Sequence, residues 1–470
     1  MKRKQFVPAL AAVMLLTGCM SGRTYEDLPT PAYEKSTLQP VGDYSAHHSY
    51  EGVPAVREET LAEYRSKDGI CRIDAKAHYY DVTLDMTGGD AYAVGADYAE
   101  TLKQLPVQFE QMTEDYLYDT MNTVYRSADS LAVTGSDQAH KTELIAGRVR
   151  TLKAALPVRY RQEMDGFASQ FSGGDTGFVQ DGRLSQDEAD LLHLIPDVLR
   201  ETACSGITVN GSRTASGKRL TARLMEWDLG RENAMTAGNC VMHFQYGERS
   251  VTSVTSLGLL DIITGANDDG VFAAVLDVGS REELYDCTGK TSYTYALREA
   301  LETCTTAREC GEYMNRRAPG FPYTHNVFIT DENSAFVAED CRTEYDGVPL
   351  LRDESTPLLD TLEWDAPGCL CVVNAFAAKG QGDQMTGTKH NILRWEKYRR
   401  LFSGTEKISL ERFKTLMTAE KAGTEFTEIR GNGLVFLLIV DYDTHTLQAA
   451  FTGREGVADM PDFLELGLFY

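Results

Sequence analysis

The chain has 470 residues, 42% of them hydrophobic, and a formal net charge of -24 at pH 7. This length allows two or three domains with a substantial hydrophobic core. The acidic balance argues against nucleic acid or an anionic membrane surface as the main partner.

The N-terminus has the layout of a bacterial lipoprotein signal. Residues 1–18 begin with the basic MKRK and continue with an apolar run that is too short to span a membrane. The run closes with LTGC, which resembles a lipobox, so we expect residues 1–18 to be removed and Cys19 to be lipidated. Residues 19–60 would then tether the protein to the cell envelope, at the outer membrane where two membranes exist, facing the periplasm or the exterior. The alternative is a plain signal peptide with an unmodified cysteine.

Residues 61–203 are predicted to form a mainly helical prosegment. From about residue 95 apolar residues recur at helical spacing, and Pro106 is expected to begin or kink a helix. Two further amphipathic segments have the sequences RYRQEMDGFASQF and SQDEADLLHLIPDVLRETA. The second opens with Ser185, followed three residues later by Glu188, which predicts a capping box at a helix N-terminus.

After Cys204, and through residues 204–470, the pattern changes to short strands. Segments such as SGITVN, CVMHFQY, GVFAAVLDV and CLCVVNAF are rich in β-branched and aromatic residues. Helical patterns interrupt the strands near 291–316, 390–402 and 409–420. The C-terminal region predicts two strands around a turn at Asp441 to Thr444. This mixture favours an α+β layered sandwich over a doubly wound parallel sheet.

No motif predicts a metal or cofactor site. The sequence has no C-x-x-C pair and no H-E-x-x-H, GSRTASGKR departs from the spacing of a phosphate loop, and DGRLSQDE lacks the first ligand of a calcium loop. Export would place the ten cysteines in an oxidising compartment. Setting aside Cys19 and Cys204 leaves eight that can form disulfides in pairings the sequence does not choose.

Cys204 lies between small residues, in the stretch ACSG, where the helical region gives way to strands. A catalytic cysteine needs a base or a cationic environment that favours its thiolate. His243 and His325 are the candidates for a papain-like base. Cleavage of the bond before Cys204 offers another base, because the freed α-amino group ordinarily has a pKa of about 8.

The segment from Cys204 to Trp227, with Gly211, Ser212 and Gly217, resembles the nucleophile segment of N-terminal nucleophile (Ntn) hydrolases. It is most similar to penicillin acyltransferase and C45 peptidase-like enzymes, with choloylglycine hydrolases and acid ceramidase as more distant relatives. Other similar motifs occur in the family's order, and the resemblance covers about 158–470. These motifs are YRQEMDGFASQF at 160–171, GANDDGVFAAVLDV at 265–278, HNVFITDENSAFVAED at 325–340, VVNAF at 372–376 and NILRWEKYRRLF at 391–402.

The resemblance implies a four-layer αββα Ntn-hydrolase sandwich with a helical N-terminal prosegment. It also implies self-cleavage between Ala203 and Cys204, after which the N-terminal chain stays packed on residues 204–470. The implied reaction is hydrolysis or acyl transfer at a linear amide C-N bond through a thioester on Cys204, without a cofactor. The substrate would be a small-molecule or peptide amide, with N-acyl amino acids, bile-salt-like conjugates, β-lactam side chains and peptides left open.

The same resemblance assigns roles to residues around the nucleophile. Arg223 would be the cation beside the thiol. Glu226 stands where the family usually has the aspartate that orients the new amino group, and Asp228 could compensate for its extra methylene. Asn374 would donate to the oxyanion of the tetrahedral intermediate. Arg394 would steady the site from the following helix.

Two further positions belong to the hairpin motif. Asn267 is its asparagine and a possible supporting residue. Asp277 stands where choloylglycine hydrolases have an asparagine that completes the oxyanion hole, and because a carboxylate does not donate unless it is protonated, a backbone N-H would have to replace it. Two other functions are compatible with the sequence: a noncatalytic envelope lipoprotein that retains the fold, and a papain-like thiol peptidase.

Overall fold

The computed structural model describes residues 48–124, 138–174, 177–199, 204–278, 286–340, 349–381, 389–419, 433–458 and 460–469. The predicted lipidation site Cys19 and the predicted cleavage residue Ala203 lie outside these ranges. Within them, no helix has both the length and the apolar character needed to cross a membrane.

The described residues form nine α-helices and sixteen strands. The helices are α1 Ala91–Leu102, α2 Phe109–Val124, α3 Gln138–Ala155, α4 Val158–Ala168, α5 Gln186–Leu199, α6 Tyr293–Thr303, α7 Ala307–Arg317, α8 Lys389–Phe402 and α9 Leu410–Met417. The strands are β1 Ala62–Arg65, β2 Cys71–Ala75, β3 Tyr80–Asp85, β4 Ser205–Val209, β5 Leu220–Glu226, β6 Asn239–Tyr246, β7 Arg249–Ser256, β8 Thr264–Asn267, β9 Phe272–Asp277, β10 His325–Thr330, β11 Ala335–Glu339, β12 Leu350–Arg352, β13 Cys369–Val372, β14 Leu434–Asp441, β15 Thr446–Phe451 and β16 Leu464–Leu468.

The strands make two sheets, so the expected α+β class is observed. One sheet has ten strands in the order β1-β2-β3-β6-β7-β8-β9-β10-β11-β12, and the other has six in the order β13-β4-β5-β14-β15-β16. Neighbours within both sheets are antiparallel except β3 and β6, which are parallel. The predicted C-terminal hairpin is β14 and β15, in which Asp441 pairs with Thr446.

Side-chain alternation along β10 shows how the two sheets face each other. Thr330 lies on the face toward the six-stranded sheet, with its hydroxyl 3.3 Å from that of Thr221 in β5. Phe328 points the same way, since its ring would lie 3.0 Å from a Cβ at Gly206. Ile329, one residue along, packs on the opposite face near Gly311 of α7. Successive residues of a strand point to opposite faces, so β10 joins the core between the sheets to the helix layer.

The N-terminal part contains strands that its sequence pattern did not indicate. β1, β2 and β3 extend the ten-stranded sheet, and β3 pairs with β6 so that Tyr80 is level with Cys240. The helical prediction from about residue 95 agrees with α1 to α5. The predicted capping box is also present, because Glu188 accepts from Ser185 N at 2.8 Å and Ser185 Oγ accepts from Glu188 N at 3.2 Å. The N-terminal part is therefore built into the same sheet as the C-terminal part.

The packing of α4 explains the glycine and the glutamate of its Glu-x-x-Gly-x-Ala stretch. Gly166 allows α1 to approach, because a Cβ there would lie 1.9 Å from the carbonyl oxygen of Tyr92. Glu163 forms a buried ion pair with Arg298 of α6, at 2.5 Å between Oε2 and Nη1. This motif thus packs two helices of the N-terminal part together and ties them to a helix of the C-terminal part.

All eight cysteines that the structure describes are unpaired thiols, and seven of them are buried. Cys369 and Cys371, two residues apart on β13, are among them, in keeping with the geometric difficulty of bridging such a pair.

Candidate active site

Cys204 lies immediately before β4, and its thiol is completely buried. The thiol contacts three groups of β5: Arg223 Nη2 at 3.0 Å, Met225 Sδ at 3.8 Å and the carbonyl oxygen of Glu226 at 3.7 Å. In β4, Gly206 faces the ten-stranded sheet, and Cys204 is two residues earlier on the same face. Strand alternation therefore directs the thiol into the core between the sheets, beside Arg223 and Met225.

Arg223 is fully buried, and its guanidinium is held by several acceptors. Nη2 donates to the thiol and also to the carbonyl oxygen of Val275 in β9 at 2.9 Å. The same nitrogen lies 3.2 Å from Met225 Sδ, and Nη1 donates to the carbonyl oxygen of Leu224. A guanidinium nitrogen held in this way stays in direct contact with the thiol.

Arg394 of α8 connects four parts of the site. Its Nη1 donates to the carbonyl oxygen of Cys204 at 2.8 Å and to Glu226 Oε2 at 3.0 Å. Its Nη2 donates to Asn374 Oδ1 at 2.9 Å and to Asn391 Oδ1 at 2.6 Å. With its side chain 1% exposed, Arg394 fixes the backbone of Cys204 relative to the carboxylate and both amides.

Asn374 follows β13 and is oriented from both sides. Arg394 binds its Oδ1, which turns Nδ2 toward β9, where it donates to the carbonyl oxygen of Asp277 at 2.7 Å. Asn391 donates to the backbone carbonyl of Asn374 at 2.9 Å. Asn326 of β10 donates to the carbonyl oxygens on either side of Asn374 at 3.0 and 3.1 Å, which holds this turn in shape.

The structure separates the two carboxylates that the sequence offered as alternatives. Glu226 points to the helix side of β5, where Arg394 binds it in a site that leaves its side chain 3% exposed. Asp228 lies beyond the end of β5, where its Oδ1 accepts from Gly230 N at 2.9 Å and its side chain borders an apolar cavity. Glu226 is thus the carboxylate within the arginine network.

Three other residues considered from the sequence have different surroundings. Asn267 donates to the carbonyl oxygens of Leu301 and Cys304 at 2.9 and 2.8 Å, and therefore satisfies the C-terminal end of α6. His243 contacts Thr252 Oγ1 at 2.9 Å and Asp81 at 3.2 Å. His325 stacks on the ring of Tyr293 at 4.9 Å between centroids. The contacts of the thiol itself are with β5.

An apolar cavity lies next to Cys204, and its volume is about 580 Å³ when the open space at its mouth is included. Met225 separates the two, because it lines the cavity and also contacts the thiol. The cavity walls combine the N-terminal helices α2 and α5 with β5, β7 and β14, and Asp228 is the charged residue in the lining.

Asn391, Asn326 and Met225 were not identified from the sequence as parts of the site. Asn391 and Arg394 are three residues apart on α8, and this spacing puts two polar side chains on one helical face. The spacing could therefore have predicted that Asn391 lies beside Arg394. Asn326 and Met225 gave no such signal. Within the described ranges, no group of three or more His, Cys, Asp or Glu side chains could hold a metal ion.

Comparison with known proteins gives partial similarities in structure. No family model and no curated protein matches the sequence. The N-acylethanolamine-hydrolyzing acid amidase ortholog of Caenorhabditis elegans is similar with a TM-score of 0.36 and 14% identity over 50% of this chain and 92% of that chain. A mutant of the conjugated bile acid hydrolase of Clostridium perfringens has a TM-score of 0.31 and 14% identity over 53% of this chain and 89% of that one. Penicillin V acylase of Agrobacterium tumefaciens has a TM-score of 0.31 and 11% identity over 53% of this chain and 83% of that one. What the site does must therefore be inferred from its own contacts.

Proposed function

We propose that this protein is a self-processing cysteine hydrolase of the Ntn type, which cleaves or transfers acyl groups at linear amide C-N bonds. The observation that carries the proposal is the 3.0 Å contact between Arg223 Nη2 and Cys204 Sγ, next to a carbonyl, a carboxylate and two amides bound by Arg394. A buried thiol beside a fixed cation is suited to act as a nucleophile. The four-layer αββα arrangement belongs to this proposal, and contacts of α7 with the larger sheet and α8 with the smaller one support it.

Self-cleavage would precede catalysis. Cys204 Sγ attacks the carbonyl carbon of Ala203, the C-N bond breaks, and the thiol proton passes to the nitrogen of Cys204. Water then hydrolyses the resulting thioester, which leaves a carboxylate on Ala203 and a free amino group and thiol on Cys204. Arg394 holds the Cys204 carbonyl throughout, so the nucleophile keeps its position while the bond before it breaks.

Turnover would then use the new amino group as the base. It accepts the thiol proton as Sγ attacks the substrate carbonyl, and it returns a proton to the departing amine when the substrate C-N bond breaks. The acyl group remains on Cys204 as a thioester until water or an amine acceptor attacks it. The first acceptor gives hydrolysis and the second gives acyl transfer, and both restore the thiol.

Asn374 is the proposed donor to the oxyanion. Its side-chain amide can donate hydrogen bonds, and in the structure its Nδ2 donates to the Asp277 carbonyl, which fixes the direction of the amide. One such donor is worth about 3 kcal/mol of transition-state stabilisation. Asp277 itself contributes a backbone carbonyl that orients Asn374, and this role does not require its side chain to donate.

The proposed location is the bacterial envelope, through lipid on Cys19. The N-terminal chain would remain attached after cleavage, because β3 pairs along its whole length with β6 and α4 carries the ion pair from Glu163 to Arg298. The enzyme would therefore stay tethered to the membrane by a chain that is no longer covalently joined to its nucleophile.

Intact mass combined with N-terminal sequencing tests the proposal. We expect the purified wild-type chain to give two fragments, the larger beginning at Cys204, and the Cys204→Ala variant to stay whole and inactive on amides. Cys310→Ala, which removes another fully buried thiol in α7, is the matched control and should be processed normally. A full-length wild-type chain that hydrolyses amides would refute self-cleavage and leave amide hydrolysis standing.

A noncatalytic envelope protein is the second candidate. Two observations favour it: the thiol of Cys204 has no exposed surface, and Asn374 already donates to a backbone carbonyl. A covalent thiol probe distinguishes the two functions. Modification of Cys204 in wild-type protein supports the hydrolase, whereas a Cys204 that reacts only after unfolding supports the noncatalytic alternative.

A further inference from the structure

We propose that the apolar cavity beside Cys204 binds the apolar part of the amide substrate, and that Asp228 makes it prefer a substrate whose apolar part carries an ammonium group. This inference rests on the proposed function and adds a substrate class to it. Asp228 is then a specificity-determining residue, and it is distinct from the catalytic group around Arg394.

The position of the cavity connects it to the nucleophile. Met225 forms part of its wall and lies 3.8 Å from Cys204 Sγ, so a group bound there lies one side chain away from the reacting atom. Most of the lining is aliphatic or aromatic, including Leu192, Val254 and Phe436. An apolar lining of this kind suits a hydrocarbon or aromatic group, with a few polar atoms to fix its orientation.

Asp228 supplies a charge that its own surroundings leave uncompensated. Its Oδ1 accepts from Gly230 N, whereas its Oδ2 is buried and has no hydrogen-bond partner within the described ranges. The nearby Arg231 directs both its backbone N-H and its guanidinium to Asp119. A buried carboxylate oxygen is stabilised more by a cationic hydrogen-bond donor than by an apolar group, and it repels a second carboxylate.

The prosegment also forms part of this cavity. Tyr116 of α2 and Leu192, Ile195 and Pro196 of α5 line it. Trp227 Nε1 donates to the hydroxyl of Tyr116 at 2.5 Å, which joins the two parts of the chain at the cavity wall. Substrate choice would therefore depend on the N-terminal chain remaining in place after cleavage.

Three p-nitroanilides with straight acyl chains of equal length, ending in methyl, ammonium or carboxylate, test the proposal. We expect the processed full chain to hydrolyse the ammonium compound roughly tenfold faster than the carboxylate compound at limiting substrate. A tenfold ratio corresponds to a free-energy difference of about 1.4 kcal/mol. Asp228→Asn should bring the ratio close to one. Asp360→Asn, at an exposed position paired with Lys379, should preserve it. A matching series of acetamides, with the same chains on the amine side, shows which part of the substrate occupies the cavity.

Binding measured without turnover separates this inference from the proposed function. Full-length Cys204→Ala should bind a long-chain alkylammonium ion more tightly than the alkanoate of equal length, as measured by calorimetry, and Asp228→Asn in that background should remove the difference. If amides of both series are hydrolysed without a charge preference and the two ions bind equally, the proposed role of Asp228 is refuted. The proposal that the protein is a hydrolase would then still stand. Preferential ammonium binding without any amide hydrolysis supports the charge preference and refutes the enzyme.

Discussion

Arg394 and Glu226 form a buried ion pair, with 3.0 Å between Nη1 and Oε2 and side chains that are 1% and 3% exposed. The same Nη1 donates to the backbone carbonyl of Cys204. The carboxylate of Glu226 is thus linked to the backbone of Cys204 through an arginine. One guanidinium nitrogen therefore binds the Glu226 carboxylate and the Cys204 backbone together.

Replacing Glu226 tests that link. Glu226→Gln keeps the shape but leaves Arg394 without its buried counter-charge, so we expect the free energy of unfolding to fall by about 3–5 kcal/mol and self-cleavage to slow. Glu226→Asp retains the charge on a side chain that is shorter by one methylene. We therefore expect its effects on the free energy of unfolding and on self-cleavage to be intermediate. Urea unfolding and the rate of fragment formation measure the two effects. Glu354→Gln, at an exposed position, is the control. Unchanged stability and processing in Glu226→Gln would show that the pair has no role.

Arg223 should control the reactivity of the thiol. Arg223→Gln removes the cation 3.0 Å from Cys204 Sγ, and we expect the rate of Cys204 alkylation by iodoacetamide at pH 7 to fall by about tenfold or more. Arg223→Lys keeps a charge with fewer donors and should lose less.

Arg219, a buried arginine that directly precedes β5 and contacts Thr208 of β4, provides the matched control through Arg219→Gln. Labelling followed by peptide mass analysis distinguishes Cys204 from the other thiols. Equal labelling of Cys204 in wild type and both Arg223 variants would contradict the assigned role.

The sequence was most informative where a signal is local. The Ser185 and Glu188 capping box and the turn at Asp441 to Thr444 depend on residues close together in the chain, and both occur as expected. Strand alternation also places Cys204 and Arg223 on one face, once their strands are known to pair. No short segment of the sequence predicts that these two strands pair with each other.

Contacts between distant segments were the part that the sequence left out. Asn391 reaches Asn374 across 17 residues, and Arg394 reaches the Cys204 carbonyl across 190. Asn267 belongs to a recognisable motif, but its contacts at the end of α6 give it a structural role that resemblance alone did not assign. Periodicity specifies which face of an element is buried, and it does not specify what is packed against that face.

The ion pair between Glu163 and Arg298 should hold together the two fragments that the proposed self-cleavage would produce. Glu163→Gln leaves Arg298 with one fewer buried counter-charge, although Glu302 Oε1 still accepts from its Nε at 3.0 Å. We expect a loss of about 3 kcal/mol in the free energy of unfolding and separation of the fragments at lower urea, as followed by size-exclusion chromatography.

The control for this change is Glu143→Gln, which breaks an exposed pair with Arg150 and should cost less than about 1 kcal/mol. Fragments that separate at the same urea concentration in Glu163→Gln and Glu143→Gln would rule out the ion pair as the main link. Strand pairing between β3 and β6 would then be the remaining candidate.

Two buried aspartates should make stability depend on pH. Asp197 of α5 accepts from Ser292 Oγ, Tyr293 N and Thr294 Oγ1 at 2.7, 2.8 and 2.9 Å, and thereby caps α6. Burial raises its pKa from 3.8 to about 7 despite these bonds. Burial, followed by the charge of Asp197, also raises the pKa of Asp261 from 3.8 to about 7.

Other titratable groups nearby do not cancel this effect. Arg298 stays charged and only moderates the rise in the pKa of Asp261. Burial lowers the pKa of His193 to about 3, so its ring is neutral throughout the range in which the aspartates titrate. At Asp197 and Asp261 the folded state therefore binds more protons than the unfolded state between about pH 4 and pH 7, and the contribution of these two carboxyls to the free energy of unfolding falls as pH rises through that window.

Asp261→Asn tests this dependence, because it fixes the side chain in a neutral form and removes its repulsion of Asp197. We expect the variant to gain about 1–4 kcal/mol in the free energy of unfolding over wild type at pH 7 and to gain little at pH 4, where the wild-type carboxyl is already protonated. Urea unfolding at several pH values measures the slope, with Asp68→Asn in the exposed turn between β1 and β2 as the control. If Asp261→Asn shifts stability equally at pH 4 and pH 7, its effect comes from packing and hydrogen bonding, and Asp261 does not titrate in this range.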